Sequence, residues 1–126
     1  MAGRVEPLER YTVAAIQFEP ELGAKEENLR RLLALVEEAA RRGARLIVTP
    51  EMATTGYCWY DREEIRPHVE PIPGPTTERF AQVARERGCY VVVGMPEVAP
   101  ETGIYYNSAA LVGPWGLVGV YRKTHS

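Results

Sequence analysis

The chain has 126 residues, 45% of them hydrophobic and 25% charged, which suits one domain with a core of its own and excludes the disordered and fibrous classes. Fifteen lysines and arginines against seventeen acidic residues leave a net charge of −2, with no basic block to neutralise a run of phosphates, so nucleic acid is not an expected partner. No apolar run approaches the roughly 18 residues of a membrane helix, and Met1 to Arg10 lacks the apolar core of a secretory signal, so a cytoplasmic setting without a membrane partner is expected.

After the polar arm Met1 to Arg10, the run Tyr11 to Phe18 is strand-like and Pro20 ends it. From Ala24 to Arg42, the residues Leu29, Leu32, Leu33, Val36, Ala39 and Ala40 repeat at helical spacing and place one apolar stripe against a sheet. Gly43 is suited to stop this helix in a left-handed cap. The β-branched run Arg45 to Thr49 then reads as a buried strand stopped by Pro50. Strand, helix and strand in this order form a βαβ unit, hence parallel pairing. Glu51 falls just beyond the carboxyl end of the second strand, where open α/β sheets bind ligands. A solvated loop glutamate is the plainer reading of that position.

Met52 to Thr76 is a long irregular section with Gly56, two tyrosines, a tryptophan and four prolines, read as the wall of a pocket. Thr76 or Thr77 is expected to cap a second helix that buries Phe80, Val83 and Ala84 and stops at Gly88. A buried strand from Cys89 to Gly94 follows, with Pro96 and Glu97 beyond its end. The last third reads as a hairpin: Tyr105 to Val112, a four-residue turn Gly113-Pro114-Trp115-Gly116, and Leu117 to Tyr121. Lys123 stands after that strand and is one of two lysines among thirteen arginines. A lysine is a compact charge suited to active sites, although a chance surface lysine explains the position equally well.

The two cysteines have neither the spacing of a metal site nor the density of a disulfide scaffold, so both read as free thiols and no metal is expected. Cys89 is a small core residue by its setting. Cys58 lies in the aromatic loop after Glu51.

Three separated stretches together resemble one family. Pro50-Glu51 with Thr55-Gly56-Tyr57, then Pro73-Gly74-Pro75 through Val91-Val92-Val93-Gly94 to Glu97, then Tyr106-Asn107-Ser108-Ala109 followed by Tyr121-Arg122-Lys123-Thr124-His125, are similar to the amino-terminal half of the nitrilase superfamily of carbon–nitrogen hydrolases. No single motif is specific; their order and separations jointly are. The resemblance implies an α/β fold, the amino-terminal half of a four-layer αββα sandwich with a mixed sheet, and a Cys-Glu-Lys catalytic set acting on a small amide, N-carbamoyl or nitrile substrate. By motif Glu51 takes the role of general base and Lys123 that of stabilising the tetrahedral intermediate. No cofactor is implied, and the full-length protein is expected to be a homo-oligomer.

In the family the nucleophile lies beyond the lysine, so residues 1–126 are expected to be a partial domain that is inactive alone. Cys58 is the one substitute near Glu51, but the family places no nucleophile there. His125 reads as a packed structural histidine. Two other readings are open. One is a non-catalytic α/β module that binds a small molecule or a partner. The other is a nucleotide-binding domain, disfavoured because no glycine-rich loop follows Phe18 and nothing matches a P-loop lysine.

Overall fold

The computed structural model describes residue 3, residues 10–57 and residues 62–123. Five strands form one sheet in the order β1-β2-β3-β4-β5. They are β1 Thr12–Ala15, β2 Ala44–Val48, β3 Tyr90–Val98, β4 Tyr105–Gly113 and β5 Gly116–Lys123. β1, β2 and β3 run parallel, and β3, β4 and β5 antiparallel, giving the mixed α/β sheet expected from the sequence. The helices are α1 Lys25–Arg41, a single turn α2 Arg62–Ile65 running into a 3₁₀ turn Arg66–His68, and α3 Pro75–Arg87.

Alternation along each strand sorts the side chains between two faces. Ile47 of β2, Val91, Val93 and Met95 of β3, and Ala110 and Val112 of β4 are buried beneath the helices. There all of these but Ala110 join one core with Leu29, Leu32 and Val36 of α1 and Phe80, Val83 and Ala84 of α3, the stripes foreseen from the helical spacing. Gly43 and Gly88 stop the two helices with φ of 95° and 65°, a left-handed conformation that costs other residues steric strain. The opposite face carries Val13, Leu46 and Tyr90 on one rung across β1, β2 and β3, and no helix covers it among the described residues. The result is one helical layer on one sheet, as in half of an αββα sandwich.

Four local expectations are corrected. β3 does not end at Gly94 but runs through Pro96 and Glu97 to Val98. Proline is tolerated there because the backbone N–H groups of Gly94 and Val98 face the β2 side, bonding Thr49 Oγ1 and Glu70 O, and the nitrogen of Pro96 between them has no ladder partner to lose. The hairpin turn has two residues, Pro114 and Trp115, because Gly113 and Gly116 pair with each other. Lys123 is the last residue of β5 rather than a residue beyond it. The section 52–76 is not wholly irregular, since it contains α2 and the 3₁₀ turn.

The start of α3 also differs from expectation. Gly74 is the capping residue and Pro75 opens the helix, so Thr76 and Thr77 already lie inside its first turn. One orphan backbone donor of that turn is satisfied from outside the helix. Glu70 accepts from Thr76 N at 2.6 Å and from Thr76 Oγ1 at 2.7 Å, and Lys25 neutralises it at 2.5 Å, tying the starts of α1 and α3 together.

Phe80 has no exposed surface and lies at the centre of the core. Phe80→Ala is expected to lower stability by about 3–5 kcal/mol through lost burial and the cavity left behind, read as a lower urea midpoint with an unchanged slope.

Candidate active site

Where the parallel pair β2–β3 ends, the chain is held close to the sheet. Thr49 donates through its backbone N–H to Val92 O at 3.0 Å and through Oγ1 to the same carbonyl at 2.9 Å, and Gly94 N donates to Thr49 Oγ1 at 3.0 Å. Pro50 and Glu51 then pass directly over Gly94. A Cβ on Gly94 would stand 2.2 Å from Pro50 O and 2.9 Å from Glu51 Cα, so only glycine admits this crossing.

The turn after Glu51 is buried. Met52, Ala53, Thr54 and Thr55 have no exposed surface. Met52 adopts φ of 52°, unusual for a residue with a side chain, and its carbonyl accepts from Thr55 N at 3.2 Å and Gly56 N at 2.7 Å. Asn28 of α1 anchors the turn from below, donating to Thr54 O at 3.1 Å and to Glu21 O at 2.7 Å. Residues 52–56 thus form a packed turn beneath Glu51, and they do not line the cleft described below, so this part of the section expected to wall a pocket is core rather than wall. Cys58, singled out above, lies outside the described residues, as does His125.

Glu51 and Lys123 are 72 positions apart, and Lys123 Nζ donates to Glu51 Oε1 at 3.1 Å. Asn107 Nδ2 donates to the same oxygen at 2.6 Å, and Tyr57 Oη donates to Oε2 at 2.5 Å. Tyr57 and Asn107 belong to the quoted motifs, but sequence reasoning assigned neither a role. Asn107 and Lys123 are direct cross-strand partners on β4 and β5. Glu51, Asn107 and Lys123 line a cleft of ≈ 280 Å³, with Val48, Val92, Gly94, Ala109 and Tyr121 as its apolar floor on the uncovered sheet face, and Tyr57 joins them through its hydrogen bond to Glu51.

The ion pair is only half-buried: 43% of the Glu51 side chain and 51% of the Lys123 side chain remain exposed. The Tyr57 hydroxyl and then the Lys123 ammonium hold the Glu51 carboxyl below its ordinary range, burial opposes them, and Asn107 adds to the lowering. Burial, then the neighbouring Glu51 carboxylate, push Tyr57 up to about 12. At neutral pH the cluster therefore holds a carboxylate, a neutral phenol and a neutral amide around one cleft. Among the described residues no group of three His, Cys, Asp or Glu could hold a metal ion.

Cys89, the free cysteine among the described residues, lies in the core under α3, and burial raises its thiol pKa. It cannot serve Glu51 as a nucleophile from there. No described helix is long and apolar enough to cross a membrane.

Two outcomes test this geometry. Tyr57→Phe removes the largest influence lowering the Glu51 pKa, so that pKa should rise towards the ordinary carboxylate value, as read by NMR titration of the labelled side chain. Gly94→Ala should displace the crossing at Pro50 and Glu51, which a crystal structure of the variant would show as movement of Glu51 away from Asn107.

The model of the carbon-nitrogen hydrolase family matches residues 12–126. A nitrilase of Pyrococcus abyssi is 40% identical over 114 residues, covering 90% of this chain and 43% of the relative. An omega-amidase of Xenopus tropicalis is 40% identical over 103 residues, covering 80% of this chain and 36% of the relative. The crystal structure of an N-terminal amidase superposes with a TM-score of 0.78 at 31% identity, over 89% of this chain and 27% of that one. The chain thus spans less than half the length of the curated relatives it matches. The strand–turn–carboxylate arrangement at Glu51 and the matched family model lead to one conclusion: this chain belongs to the carbon–nitrogen hydrolases of the nitrilase superfamily.

Proposed function

We propose that this chain forms the amino-terminal part of a hydrolase that cleaves a non-peptide carbon–nitrogen bond in a small amide, N-carbamoyl or nitrile substrate through a Cys-Glu-Lys mechanism. The observation that carries this reading is the meeting of Glu51 and Lys123 at 3.1 Å across 72 positions of sequence, in a cleft with an apolar floor. Amide substrates receive further support from the omega-amidase and N-terminal amidase among the relatives.

In this scheme Glu51 takes the proton of a cysteine thiol, and the thiolate attacks the carbonyl or nitrile carbon. Three of the four lone-pair positions of the Glu51 carboxylate are filled, two on Oε1 by Asn107 and Lys123 and one on Oε2 by Tyr57. The remaining position on Oε2 is where the thiol proton would arrive. Lys123 has further N–H donors beyond the one directed at Glu51, and these stabilise the negative charge that develops on the substrate oxygen or nitrogen. The tetrahedral adduct then collapses as the carbon–nitrogen bond breaks, and the proton held by Glu51 passes to the departing amine or ammonia; a nitrile first gives a thioimidate, which takes up water and loses ammonia in the same way. Water attacks the resulting thioester with Glu51 accepting its proton, and the thiolate leaves as the acid is released, regaining that proton. The nucleophile of this scheme is a cysteine in the part of the family's length that this chain does not span, and the reading includes a cytoplasmic, homo-oligomeric whole enzyme.

In the full-length protein Glu51→Gln and Lys123→Ala should each lower kcat by at least about 10²-fold. Assays against short amides, N-carbamoyl compounds and nitriles check this, and near-normal rates in either variant would favour a binding module instead. Residues 1–126 expressed alone should show no turnover. Turnover by that fragment, abolished by Cys58→Ala, would make Cys58 the nucleophile.

A further inference from the structure

β5 is the last strand of the sheet, held on one side by β4. Near the turn the pairing is Gly113 with Gly116 and Val112 with Leu117, but beyond it Leu111 pairs with Gly119, so Val118 is an extra residue in a β-bulge. The bulge shifts every later pair by one. Asn107 therefore stands opposite Lys123, and Ser108 opposite Arg122. Without the bulge Asn107 would stand opposite Arg122, and a one-residue slip exchanges the faces of the two side chains. The register of β5 thus decides which of two adjacent cations, Arg122 or Lys123, meets Glu51.

On the helix-covered face the register is fastened by Glu97 of β3, which is 2% exposed. Its carboxylate accepts from Arg122 Nε at 2.9 Å and Arg122 Nη2 at 2.8 Å, a paired fork-to-carboxylate contact, and from Ser108 Oγ at 2.7 Å. The Arg122 guanidinium also lies over the Tyr106 ring, 4.4 Å from its centre. One buried carboxylate thereby ties β3, β4 and β5 at the rung next to Asn107 and Lys123. Lysine could not replace Arg122 in this paired geometry, which accounts for the order Arg122-Lys123.

We infer that Glu97 is a positioning residue for the proposed reaction: by capturing Arg122 on the covered face it fixes the bulged register of β5 and so delivers Lys123 to Glu51 on the open face. This inference rests on the reading of Glu51 and Lys123 as the catalytic pair. Glu97 touches neither of them, so its influence travels through strand register alone.

The test uses the full-length protein and a short amide substrate. Glu97→Gln should lower kcat by about 10- to 100-fold with KM within about two-fold, because a misplaced catalytic group weakens the transition state more than binding. The acid limb of kcat/KM should also move upward in pH, since Glu51 loses the Lys123 ammonium that helps lower its pKa. A merely structural role would lower Tm without moving that limb. Arg122→Lys and Ser108→Ala each remove part of the fastening and should shift both readouts in the same direction by smaller amounts, which serves if Glu97→Gln does not fold. Folded Glu97→Gln with wild-type kcat and limb, or both partial variants at wild-type values, would overturn the inference. Lys123→Ala separates the two readings. If it abolishes turnover while Glu97→Gln leaves turnover unchanged, the role of Glu97 fails and the catalytic reading stands. If Lys123→Ala is itself fully active, both fail.

Discussion

The parallel contact between β2 and β3, and the way it ends, governs the rest of the molecule. Two hydrogen bonds from Thr49 to Val92 O and one from Gly94 to Thr49 close the ladder where Pro50 forbids its continuation. With no side chain on Gly94, the departing chain crosses the sheet instead of rising from it. Glu51 is thereby placed over β3 and within reach of β4 and β5, although it follows β2. A carboxylate on a chain that rose into solvent would have no such partners and would revert to the plain loop glutamate that its position first suggests.

Much of this arrangement was legible in the sequence because it follows from local rules. The helical stripe Leu29, Leu32 and Val36, the stops at Gly43 and Gly88, and the βαβ start depend on spacing and on glycine's freedom at positive φ, and the structure contains each of them. The strand end at Pro50 was legible for the same reason. Pro96 misled because the rule against proline in strands holds only where the nitrogen faces a partner, and which side a nitrogen faces depends on pairing that the sequence does not display.

The candidate site was half legible. Glu51 and Lys123 could be singled out by position and composition, and motif resemblance gave them roles. Asn107 could not be joined to them by counting, because counting back from the turn sets it against Arg122. The bulge at Val118 reverses that result; the neighbouring Gly119 is the one local sign of it, and a glycine inside a strand does not by itself fix where the register shifts. Tyr57 was hidden for a different reason. Its approach to Glu51 depends on the left-handed turn at Met52, stabilised by Asn28 from another element, so no pattern within residues 51–57 predicts it.

The uncovered sheet face has a consequence for how strongly the cluster acts. Charges beside water interact through a high effective dielectric constant, and their mutual attraction is several-fold weaker than the same geometry gives in a dry interior. Glu51 and Lys123 already stand at contact distance, yet their half-exposed side chains are in that weak regime. A second layer laid on Val13, Leu46, Tyr90 and Tyr121 would leave the distances alone and replace the surrounding water with hydrocarbon. Electrostatic strength in this site is thus set less by the placement of its charges than by what lies on the sheet beside them, so covering the face and arming the cluster would be a single event.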